Sequence, residues 1–108
     1  MTTTFDKREE GFEKQFAHDE ELRFKANARR NKLLGLWAAE KLGMTGAAAE
    51  TYAADVVTAD VDKPDSDSVF RKLRKDFDDK GVVQSDHQIR RTMDEAMEKA
   101  ITEIQGGR

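Results

Sequence analysis

Ile89, Met93, Ala96, Met97, Ala100, Ile101 and Ile104 recur at three- and four-residue steps. That spacing lays one apolar stripe along one face of a helix. No other feature restricts the fold as much, because the stripe stays dry only if neighbouring helices cover it. Ser85 and Gln88 stand ahead of it at capping-box spacing, and Gly106-Gly107 ends it. Three more helices fit upstream. The first is predicted from about Asp19 to Leu42, stopped by Gly43. The second runs from near Thr45 to near Asp60. The third follows Pro64, with Asp65 or Ser66 as cap, carries Val69, Phe70, Leu73 and Phe77, and ends before Gly81. The short valine pairs at 56–57 and 82–83 are too brief for strands and sit among helix formers. The expected fold is therefore all-α: a four-helix bundle over residues 19–108 with short loops and antiparallel neighbours. Leu33, Leu34, Leu36, Trp37 and Tyr52 are expected in its core, with Gly35 allowing close helix packing.

The core should be thin. Charged residues make up 38% of the 108 residues and apolar ones 37%, much of that alanine. There is no cysteine, which excludes disulfides, thiol chemistry and cysteine-based zinc sites. The net charge of -3 is too balanced for nucleic acid to be the main partner. No apolar run approaches the ~20 residues of a bilayer span, so no direct membrane insertion is expected. A cytoplasmic location is compatible with all of this.

Residues 1–18 break the pattern. Phe5, Phe12 and Phe16 lie seven and four residues apart, so a helix would gather the rings on one side. Gly11 in their midst costs a helix about 1 kcal/mol relative to alanine. A free helix this short is marginal in water. The expectation is a mobile, partly helical N-terminal arm that folds when a partner supplies a groove. The plainer alternative is a fifth short helix packed on the bundle. His18 stands at the junction, where its near-neutral titration could serve as a switch, though a lone histidine is more often a surface side chain.

The run from Phe16 to Ala26 continues through Ala28-Arg29-Arg30-Asn31-Lys32-Leu33-Leu34-Gly35-Leu36-Trp37 to Gly43. It strongly resembles the ATPase inhibitor zeta subunit family. Phe5-Asp6, Arg8-Glu9, Phe12-Glu13 and Phe16 look like that family's N-terminal part. The resemblance implies a non-enzymatic inhibitor of the F-type ATP synthase of alphaproteobacteria. Its N-terminal segment would enter an interface between catalytic subunits beside the central rotor and block rotation in the direction of ATP hydrolysis. The partners so implied are the catalytic head and rotor of the synthase. The location implied is cytoplasmic, peripheral at the inner membrane. The expected partner-binding residues are Phe5, Asp6, Arg8, Glu9, Phe12, Glu13, Phe16 and His18, with no cofactor and no metal. The resemblance also leaves room for weak nucleotide binding to the bundle, for which the sequence holds no motif.

Other constellations are weaker. Arg29, Arg30 and Lys32, with Arg23 and Lys25 upstream, could meet phosphate. Residues 1–32 nevertheless hold eight basic and seven acidic side chains, so a solvated helix face or a contact with the ATPase is the better reading. Asp60, Asp62, Asp65 and Asp67 alternate like calcium ligands, but an EF-hand needs Gly at position six and Glu at twelve, where Asp65 and Arg71 stand. No GK[ST] phosphate loop and no nucleophile–base pair is recognisable. From a different class, a helical adaptor binding another protein through the same arm fits the composition equally well.

Overall fold

The computed structural model describes residues 20–62 and 66–106. They form four helices: α1 (Glu20–Lys41), α2 (Gly46–Asp62), α3 (Ser66–Lys80) and α4 (Asp86–Gly106), with no strand among the described residues. The all-α fold expected from the apolar stripes is the fold observed, and helix ends fall within a residue or two of the expected ones. None of these helices is long and apolar enough to cross a membrane.

The helix ends follow from local chemistry. Glu20 and Glu21 open α1 and Lys41 closes it, each charge opposing the helix dipole at its end. Gly43, at φ +82°, lets Met44 N–H donate to Ala39 O at 2.8 Å and its own N–H donate to Glu40 O at 3.1 Å. This is the Schellman pattern. Gly81 repeats it after α3, with Val82 N–H to Phe77 O at 2.8 Å. Met44 and Val82 then fold back against the core. At α4, Gln88 N–H donates to Ser85 Oγ at 3.0 Å. The capping box is only half made, because the Gln88 amide turns forward and donates to Thr92 Oγ1 at 3.1 Å. Ser85→Ala should therefore lower stability by about 1 kcal/mol, read as a lower thermal midpoint with unchanged helix content at low temperature.

The core joins Leu34, Ala38 and Ala39 of α1 to Tyr52 and Val56 of α2, Val69, Leu73 and Phe77 of α3, and Ile89, Met93 and Ala96 of α4. Its most extensive contacts run from α1 to α2 and from α1 to α4, which makes α1 the axis of the bundle. Of the four consecutive-run residues expected inside, Leu34 is fully buried and Leu33, Leu36 and Trp37 are half-buried. Neighbouring residues on a helix cannot all point inward. Trp37 meets Phe77 edge-on, with ring centroids 5.7 Å apart.

Gly35 sits where α1 and α2 come closest. A Cβ there would lie 2.7 Å from Ala53 Cα and 3.2 Å from Val56 Cγ2. Polar links tie the thinner α3 to its neighbours. Tyr52 donates to Asp76 Oδ2 at 2.7 Å, and burial, reinforced by that bond, pushes the phenol well above its ordinary pKa. Arg74 reaches Asp86 at 2.9 Å and Gln84 O at 2.7 Å. Arg90 pairs with Asp67 at 3.1 Å while lying 4.0 Å over the Phe70 ring.

Candidate functional site

All eight expected partner-binding residues, Phe5, Asp6, Arg8, Glu9, Phe12, Glu13, Phe16 and His18, lie outside the described residues. The described chain begins at Glu20, and the surface there is unlike the rest of the bundle. A cleft of about 300 Å³ lies between the first turns of α1 and the last turns of α2. Phe24, Asn27 and Asn31 line it from α1, and Val57 and Asp60 from α2. Phe24 is 62% exposed, and among the described residues only Val83 is a comparably exposed large apolar side chain.

Asn31, which lines the cleft, is bonded to a buried neighbour, Arg30. Arg30 and Asn31 are 8% and 1% exposed. Arg30 Nε–H donates to Asn31 Oδ1 at 2.9 Å, and its guanidinium stands 3.9 Å from Asp60 Oδ1. Burial pulls the Arg30 pKa down, and Asp60 and Asp94 oppose that pull; the group stays cationic. The bond to Arg30 uses the Asn31 oxygen and leaves its Nδ2 without a hydrogen-bond partner among the described residues. A buried unsatisfied donor costs about 1–3 kcal/mol.

The basic cluster is thus not a solvated face throughout. Arg30 is buried because its position on α1 faces α2, and Asp60 comes with it. Three of the other cations lie near carboxylates: Arg29 pairs with Glu103, Lys25 with Glu21 at 3.3 Å, and Lys32 with Glu50 at 3.9 Å. The hydrogen bond from Arg29 holds the Glu103 carboxyl below its ordinary pKa. The acidic run is divided in the same way. Asp60 faces Arg30, Asp67 faces Arg90, and the side chains of Asp62 and Asp65 lie outside the described residues. Among the described residues no three His, Cys, Asp or Glu side chains are placed to hold a metal ion.

Sequence reasoning passed over Phe24 and Asn31. Phe24 is the next ring after Phe16, eight residues on, but it stands between Arg23 and Lys25, where charge dominates the pattern. Asn31 gave no signal, since its burial depends on where α2 lies.

A family model described as ATPase inhibitor subunit zeta matches residues 1–103. The fold is similar to that of a protein solved by solution NMR, at 39% sequence identity and a TM-score of 0.70, over 81% of this chain and 99% of that one. No curated protein matches the chain.

Proposed function

Because the chain belongs to the ATPase inhibitor subunit zeta family, we propose that it inhibits ATP hydrolysis by the F-type ATP synthase and performs no bond chemistry itself. The observation that carries this reading is the extent of the family match, which takes in residues 1–18 together with the helical body. The arm inserts at a catalytic interface that opens during the rotary cycle, beside the rotor. Phe5, Phe12 and Phe16 bury their rings as the arm becomes helical. Each fully buried phenylalanine contributes about 1.5–3 kcal/mol, which offsets the cost of ordering the segment. Asp6, Arg8, Glu9 and Glu13 fix register by pairing with charges of the partner, and His18 lies at the joint with the body. An interface held open cannot complete catalysis, so the rotor stalls. Through this partner the protein is peripheral to the cytoplasmic side of the inner membrane.

The test adds purified protein to detergent-activated ATP synthase and follows hydrolysis. Saturating protein should stop turnover. Phe12→Ala or Phe16→Ala should raise the half-inhibiting concentration roughly tenfold or more, as expected for a lost buried ring. Full-speed hydrolysis at saturation rejects the function. Unchanged potency of both variants removes the rings from it.

A further inference from the structure

Asn31 holds a buried donor with nothing to donate to. Its side chain is 1% exposed, Arg30 occupies its oxygen, and its Nδ2 has no partner among the described residues. Native proteins rarely leave such a group unpaired, and its burial keeps it beneath the surface, so the side chains around it are what an occupant meets. The residue lines a cleft whose walls include Phe24, Ala28 and Val57. A recess lined by both apolar and polar side chains, Arg23 and Asn27 among the latter, beside a ring that is 62% exposed, is the pattern of a protein-binding pocket with an aromatic anchor at its edge.

The position of the cleft indicates its occupant. Glu20, where residues 1–19 join the body, also lines it, and Phe24 stands one helical turn further on. A protein that grips the arm brings its own surface to the cleft within a turn or two of α1. We infer that this cleft is a second docking surface for the protein that receives the arm. It takes an apolar side chain against Phe24 and Val57, with polar groups beside it meeting Arg23 and Asn27. This rests on the function proposed above and extends the interface from the arm onto the body. Phe24 is then an anchor that makes binding bivalent, since the arm raises the local concentration of the cleft at its site.

Two measurements on the full-length chain test this. Phe24→Ala should leave the circular dichroism spectrum and thermal midpoint unchanged, because the ring is exposed, and should weaken inhibition roughly ten- to a hundredfold. Phe24→benzoylphenylalanine, irradiated with purified ATP synthase, should cross-link to a subunit of the catalytic head. Wild-type potency in Phe24→Ala overturns the inference. A cross-link only to residues 1–19 of the same chain, or only to a second copy, overturns it whatever the potency, as does no cross-link at all. If the wild-type chain itself fails to inhibit, the function fails first. If the wild type inhibits and Phe24→Ala matches it, the second surface alone is wrong.

Discussion

Removing Met1–Phe16 is expected to abolish inhibition of ATP hydrolysis while leaving the helical body as stable as before. The deletion takes away all three rings proposed to enter the catalytic interface. The remaining cleft at Phe24 is too small to hold the enzyme alone, because affinity here comes from two linked contacts. The body should not register the loss. Its described core runs from Ala26 to Ala100 and α1 starts at Glu20, so the truncated chain keeps every core residue and the acidic first turn. Hydrolysis should match the uninhibited rate at protein concentrations that stop it with the full chain. Thermal denaturation should show the same midpoint for both. Inhibition that survives the deletion would move the active surface onto the bundle.

Gly35→Ala should destabilise the protein by about 1–3 kcal/mol, the usual cost of overpacking a core. The sign is informative, because alanine in an open helix interior would instead gain roughly 1 kcal/mol over glycine. The added methyl would lie 2.7 Å from Ala53 Cα. A backbone atom cannot rotate aside, so α1 and α2 must separate. In a domain of this size each 1 kcal/mol lowers the melting temperature by about 4–8 °C. A raised melting temperature would mean that the helices are not in close contact at this point.

Much of the fold was legible because its signals are local. Gly43 and Gly81 end helices where a left-handed residue was expected, and the α4 stripe packs on the face its spacing predicted. Gly35 was recognisable as unusual within an apolar run, and the approach of Ala53 supplies the reason. What sequence could not give was anything that needs two helices at once. Arg30 reads as one more cation in a basic cluster until α2 places Asp60 beside it. For the candidate site the division is sharper. The spacing of Phe5, Phe12 and Phe16 singles out an arm that lies outside the described residues, whereas the cleft beside Glu20 takes its lining from both α1 and α2.

The central place of α1 has a mechanical consequence. The segment ahead of Glu20 is continuous with the helix that lies against both α2 and α4. On the function proposed above, tension carried along the α1 axis would load successive packed layers in parallel, as shear. A tether attached to a peripheral helix would instead peel its contacts away one after another. On that reading the body would serve as a stop that withstands torque.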